Sequence, residues 1–67
     1  MNDYTVTIKK MYESDKRNVL VSGKDPMTVH KEAYMKHMKN DEEIQNITDS
    51  DGIIVFDLRK GFKYVTN

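Results

Sequence analysis

Hydrophobic and polar residues alternate near the start of the chain, where Tyr4, Val6 and Ile8 are separated by polar side chains. Because a strand directs successive side chains to opposite faces, this period of two predicts a half-buried β-strand. The polar stretch 13–18 predicts a turn, and the apolar run 19–21 predicts a second strand. The two strands are expected to pair as an antiparallel hairpin.

The pattern changes at Asp25 and Pro26, which together predict the start of a helix. The Asp25 carboxylate can accept from a free N–H group of the first turn, and proline at the first helical position loses no hydrogen bond. The helix is expected to extend from about residue 26 to about residue 40. Its apolar positions lie within an arc of about 140° and are predicted to face the core: Met27, His30, Ala33, Tyr34, His37 and Met38. Met35 lies outside this arc.

A second hairpin is predicted around Asp51-Gly52, because a type I′ turn needs positive φ at both central positions. We expect a strand over about residues 44–49 before it, although a helix prolonged as far as Ile44 is the alternative. The run 53–58 is the most apolar strand of the chain. A tight turn at 59–61 and a short last strand are expected to follow.

A two-residue turn sets the register of this hairpin, with Ile47 opposite Phe56 and Thr48 opposite Val55. Four apolar residues then share one face, namely Ile47, Ile54, Phe56 and Leu58. Ile53 and Val55 point to the other face, and Val19 and Val21 flank Leu20 in the same manner, so at least two strands are apolar on both sides. Since a sheet with one wet face should alternate cleanly, we expect the second face to be covered as well.

These elements predict a single α+β domain over residues 1–67, because domains rarely contain fewer than about 50 residues. One helix is expected to pack on a mixed or antiparallel sheet of four to five strands, in the order β-β-α-β-β with a fifth strand possible. This order is similar to that of β-grasp domains, in which the first and fourth strands lie parallel at the centre. The resemblance is topological, covers the whole chain and includes no sequence motif. An antiparallel meander is equally compatible.

Composition narrows the function classes. The chain has 11 basic and 11 acidic residues and no cysteine. Zero net charge argues against a generic nucleic-acid binder, and the absence of thiols excludes disulfides and thiolate zinc sites. Residues 1–40 carry a net charge of +3 and residues 41–67 a net charge of −3. We expect these opposite charges to neutralise each other across the fold. With neither a signal peptide nor an apolar span, the expected location is the cytoplasm, with no membrane partner.

Catalytic and metal-binding patterns are missing from the sequence. His30 and His37 are seven residues apart, about 10 Å along a helix, whereas a helical zinc pair is spaced by three or four residues. The stretch 49–52 fails the spacing of a calcium loop, and the three glycines are isolated turn residues. We therefore predict that the chain is not an enzyme and uses no cofactor or metal.

The predicted function is a non-enzymatic protein–protein interaction module that forms a homodimer. The contact is expected at the second sheet face or at an edge strand. The predicted interface residues are Leu20, Met35, Ile53, Val55 and Val65. The composition also resembles that of small accessory proteins of Gram-positive bacteria or their phages, which gives the expected origin but no process.

Nucleic-acid binding is the alternative, because basic and aromatic residues alternate at two places near strand ends. Single-stranded nucleic acids bind to aromatic side chains that are flanked by cations. The candidate residues are Lys9, Lys10, Tyr12, Arg59, Lys60, Phe62, Lys63 and Tyr64.

Overall fold

The structure, a computed structural model, describes residues 2–62. Its elements are β1 (Asn2–Lys10), β2 (Lys16–Gly23), α1 (Pro26–Lys36), β3 (Glu42–Thr48), β4 (Ile54–Asp57) and β5 (Gly61–Phe62). The strands form one antiparallel sheet in the order β2-β1-β3-β4-β5, and α1 packs on one face of it. The α+β prediction is confirmed. Of the two predicted arrangements the antiparallel one is found. The mixed β-grasp arrangement is not, because β1 lies between β2 and β3, antiparallel to both, and not beside β4.

The core lies between α1 and the sheet, and β1 is at its centre. Tyr4, Val6 and Ile8 are buried on the face of β1 that α1 covers, as their alternation predicts. Two helix residues, Val29 and Ala33, close the core from the other side. The remaining buried apolar residues come from strands β2, β3 and β4: Val21, Ile44, Ile47, Val55 and Phe56. No helix within residues 2–62 is long and apolar enough to cross a membrane.

Helix α1 begins where the sequence predicts and ends earlier. The Asp25 carboxylate accepts from the Thr28 N–H at 2.8 Å, and Pro26 is the first helical residue. The helix ends at Lys36, because two side chains from the sheet form hydrogen bonds with the backbone of the residues that follow. The Arg17 guanidinium donates to the carbonyl of His37, and the Glu42 carboxylate accepts from the N–H of Lys39 at 2.8 Å. Glu42 already belongs to β3, so the prolonged-helix alternative is not found.

The helix face that packs on the sheet differs from the predicted one. Val29 and Ala33 are fully buried, whereas Met27 and Tyr34 are 60% and 62% exposed. The cause is a close approach at Gly23, where an added Cβ would lie 2.7 Å from Cγ2 of Val29. This contact rotates the buried stripe toward Val29 and turns the expected Met27 and Tyr34 outward.

The predicted hairpin at residues 49–52 forms with a different turn. Gly52 has φ of +84°, but Asp51 does not have positive φ, so the turn is not type I′. The Gly52 N–H donates to the carbonyl of Asp49 at 3.0 Å, and the Asp49 N–H donates to the carbonyl of Ile53 at 2.9 Å. Residues 50–52 therefore form the turn between Asp49 and Ile53, which contains one more residue than the predicted two.

The longer loop is accompanied by a register shift in β4. Ile47 lies opposite Phe56 as predicted, but Thr48 lies opposite Ile54, which leaves Val55 without a partner on β3. Val55 and Phe56 are consequently both buried, although they are adjacent in sequence. A β-bulge of this kind breaks the alternation of a strand. The predicted division of residues 53–58 between two faces is therefore wrong.

Candidate interaction surfaces

The sheet face opposite α1 is mostly polar. One row of cross-strand neighbours crosses it from β2 to β4: Leu20, Thr5, Thr48 and Ile54. The next row contains Thr7 with Asn18 and Asn46 on either side, and the Thr7 hydroxyl donates to Oδ1 of Asn18 at 3.0 Å. The apolar second face expected from the sequence is thus reduced to Leu20 and Ile54, separated by two threonines.

Three of the five predicted interface residues are accessible. Leu20 and Met35 are each 71% exposed, and Ile53 is 44% exposed. Val55 is only 3% exposed and belongs to the core, because the bulge turns it inward. Val65 lies outside the described residues. Leu20 is on the open sheet face and Met35 is on α1, so the structure does not bring these two together into one surface.

Leu20 lies at the middle of β2, which is an edge strand. β2 pairs with β1 over all eight of its residues without a shift in register. Its neighbours Val19 and Val21 point toward the core, where Val21 is buried and Val19 is half-buried. β2 is thus a regular strand with an exposed leucine at its centre and hydrogen-bonding groups along its outer side.

A second set of exposed apolar residues lies on α1 and beside it, and it includes Met27 and Tyr34, which were predicted to face the core. The methionine surface consists of Met11, Met27, Tyr34 and Met35, which are 46% to 71% exposed. Met11 and Tyr34 line one shallow depression together with the half-buried Met38. Methionine adapts its shape to a partner and is common on binding surfaces. Met35, the predicted interface residue in this set, lies outside the predicted apolar arc.

The first candidate cluster for nucleic acid lies at the end of β1. Lys9 donates to the carbonyls of Lys10 and Glu13 at 2.9 Å each, and its Nζ is 3.9 Å from a carboxylate oxygen of Glu43. Lys10 is 3.9 Å from the Glu13 carboxylate. Both lysines are thus partly neutralised. Tyr12, by contrast, is 93% exposed.

The second candidate cluster is only partly available. Arg59 and Lys60 are exposed at the β4–β5 turn, which lies at the same end of the sheet as Tyr12 because β1 and β4 both end there. Phe62 is not presented for stacking, since it packs against the core. Lys63 and Tyr64 lie outside the described residues.

Phe62 belongs to an aromatic cluster with His30 and Phe56. The ring centroids of His30 and Phe56 are 4.7 Å apart, those of Phe56 and Phe62 are 4.8 Å apart, and the His30 ring meets both phenylalanines edge-on. Burial among these rings lowers the pKa of His30 below its ordinary 6.5. His30 therefore holds α1 against β4 and β5 as a neutral ring at neutral pH.

An ion pair stabilises the position of the C-terminal end of α1. Arg17 donates from Nε and Nη2 to the two carboxylate oxygens of Glu42 at 3.2 and 2.9 Å. The hydrogen bonds from Arg17 and from the Lys39 N–H lower the pKa of Glu42 from 4.5 to about 2. This pair joins β2, β3 and the end of α1, so its evident role is structural.

Few polar groups converge elsewhere. No group of three histidine, aspartate or glutamate side chains within residues 2–62 is placed to hold a metal ion. One oxygen of the Asp49 carboxylate accepts from the N–H groups of Asp51 and Ile53, at 2.9 and 3.0 Å. The Asp49 carboxylate thus stabilises the hairpin turn. Asp49 is the first residue of the stretch 49–52, whose spacing does not match a calcium loop.

No protein-family model matches the chain, and neither a curated protein nor a solved structure shows significant similarity to it. The exposed apolar residues of β2 and α1 are therefore the features from which a function can be argued.

Proposed function

We propose that this chain is a non-enzymatic protein–protein interaction module that forms a homodimer in the cytoplasm. The observation that supports the proposal is the number of large apolar side chains left in solvent. Nine such residues are exposed within residues 2–62, against ten that form the buried core. On folding, a domain of this size buries only about 60% of the surface that its unfolded chain exposes. Such a domain commonly needs a partner subunit for added stability. A contiguous exposed apolar patch commonly marks a protein–protein contact.

Four of the exposed residues lie at places suited to contact. Leu20 is at the centre of an edge strand, and Met27, Tyr34 and Met35 are exposed on α1. An accessory role in a bacterium or phage stays a prediction from composition.

Sedimentation and light scattering test the proposal. The wild-type chain is expected to shift from 7.9 kDa toward twice that mass as its concentration rises from about 10 to about 500 μM. Leu20→Lys and Met35→Lys form a matched pair, because both residues are 71% exposed and neither contributes to the core. The variant that restores the monomeric mass identifies the contact surface. A wild-type mass that stays monomeric over the whole range would contradict the proposal. Val55 is unsuitable for such a test, since a lysine there would be buried.

Nucleic-acid binding is a second candidate, and the exposure of Tyr12 favours it. Tyr12 lies at the same end of the sheet as Arg59 and Lys60. We expect retention on single-stranded DNA at low salt that weakens steeply as salt is added, and that Tyr12→Ala reduces. Tyr34→Ala is the control, because Tyr34 is an exposed tyrosine on α1. Absence of retention at low salt would remove this candidate without affecting the homodimer.

A further inference from the structure

Strand β2 is the long edge of the sheet. It contains eight residues, and within residues 2–62 only β1 pairs with it. In an antiparallel sheet, every second residue of an edge strand directs its N–H and C=O groups away from the neighbouring strand. β2 therefore offers a row of donors and acceptors to which another strand can bind.

The features that usually protect an edge strand are missing from the centre of β2. The chain's one proline, Pro26, is in α1, and the β1–β2 pairing has no bulge. Charged residues occur only at the start of β2, where Arg17 is held by Glu42 and Lys16 is exposed. The segment 18–22 carries no charge, so nothing in it repels an approaching strand.

We propose that β2 pairs antiparallel with β2 of a second copy of this chain, about a two-fold axis at Leu20. The two five-stranded sheets then join into one continuous sheet, with both helices on the same side. This inference rests on the proposed function, because it specifies the surface through which the homodimer forms.

The register follows from the side chains. With the axis at Leu20, this residue faces the partner's Leu20 on the open side of the sheet. Val19 faces the partner's Val21 on the helix side, and the two-fold axis repeats that contact. The pairing covers the exposed leucine and completes the burial of Val19, which is half-buried in the monomer. Cross-strand apolar pairs of this kind stabilise a sheet.

The neighbouring register is less suitable. With the axis at Val19, Leu20 would face the partner's Asn18, and Val21 would face the partner's Arg17. Leu20 and Val21 would then each lie opposite a polar or charged residue, and only Val19 would face an apolar one, the partner's Val19. The Leu20 register instead sets Asn18 opposite the partner's Ser22, which matches polar with polar.

The charges near the two ends of β2 do not select the register. With the axis at Leu20, Lys16 lies opposite the partner's Lys24 and Asp15 lies opposite the partner's Asp25, so each end of the paired strands carries charges of both signs. The match of apolar with apolar residues at positions 19–21 is what selects the pairing.

A single pair of strands buries less than the roughly 1,600 Å² of a standard interface, so the expected dissociation constant is on the order of micromolar or weaker. Concentrations up to hundreds of micromolar are therefore needed in the experiment.

Site-directed cross-linking tests the pairing, because the chain has no cysteine of its own. Directly opposed residues of antiparallel strands have Cα atoms about 4.5–5.5 Å apart, within the range that a disulfide spans. Leu20→Cys is expected to form a covalent dimer under mild oxidation. Met35→Cys is the matched control with equal exposure in the wild-type chain, and it should cross-link at least tenfold more slowly at the same concentration.

The register is tested by mixing two single-cysteine variants. Asn18→Cys and Ser22→Cys are expected to cross-link with each other and not with themselves, because only the mixed pair is opposed across the axis. If the wild type dimerises but Leu20→Cys cross-links no faster than Met35→Cys, the edge pairing is wrong and the homodimer stands. If the wild type remains monomeric at hundreds of micromolar, both proposals fail.

Discussion

At the scale of single residues, Gly23 shows how one small side chain determines where a helix lies. Its φ is not positive, so the backbone does not require glycine there. The requirement is space, since an added Cβ would be 2.7 Å from Cγ2 of Val29. The absence of a side chain allows α1 to approach the sheet closely and to bury Val29 and Ala33.

Gly23→Ala is therefore expected to destabilise the fold. Overpacking of a tight core contact costs about 1–3 kcal/mol, and the lower entropy of an unfolded chain containing alanine offsets only about 0.4–1 kcal/mol of that loss. Urea denaturation followed by circular dichroism measures the change in free energy of unfolding.

Val29→Ala supplies the control for this interpretation, because it removes the methyl group that the new Cβ would meet. In a double-mutant cycle, the two substitutions together should cost less than the sum of their separate effects, by about 0.5–3 kcal/mol. Strict additivity would mean that Gly23 acts in some other way than through its contact with Val29.

At the scale of elements, the sequence predicts the strands and the start of the helix because their signals are local. Alternation identifies β1, and Asp25-Pro26 identifies the start of α1. The face that each element buries depends on contacts between distant residues. Val29 is buried because Gly23 lies beneath it, and Met27 is exposed for the same reason.

The bulges in β3 and β4 explain the remaining differences. Gln45 has no opposite residue on β1, so Ile44 and Ile47 both face the core although they are three positions apart. Val55 similarly has no opposite residue on β3. Alternation assumes one residue opposite one residue, and it cannot reveal an insertion. For this reason the sequence predicts the exposure of Leu20 correctly and that of Val55 wrongly.

At the scale of the whole molecule, the charge asymmetry of the chain is partly neutralised within the fold. Two ion pairs join the basic N-terminal part to the acidic C-terminal part: Arg17 with Glu42 at 2.9 Å, and Lys9 with Glu43 at 3.9 Å. The first of these is shielded on the Glu42 side, which is only 5% exposed. Stability should therefore depend on the protonation of Glu42 more than on that of the exposed carboxylates.

We expect the free energy of unfolding to decrease in acid in two stages. Burial lowers the pKa of His30, so the unfolded chain takes up a proton there first and stability begins to fall below about pH 6.5. The pKa of Glu42 is lowered from 4.5 to about 2 in the fold. Its contribution is complete above about pH 5 and is lost as the pH falls through about 2. Chemical denaturation at a series of pH values and at low protein concentration measures both stages apart from dimerisation.

Two near-isosteric variants assign the stages to their residues. Glu42→Gln keeps an oxygen that can accept from Arg17 but cannot ionise, so it should be less stable at pH 7 and should lose the pH dependence between about 5 and 2. His30→Phe keeps a ring against Phe56 and Phe62 and should lose the dependence near pH 6.5. If Glu42→Gln retained the wild-type slope below pH 5, the acid sensitivity would have to come from other carboxylates, and the Arg17–Glu42 pair would not be the group that joins the two halves of the chain.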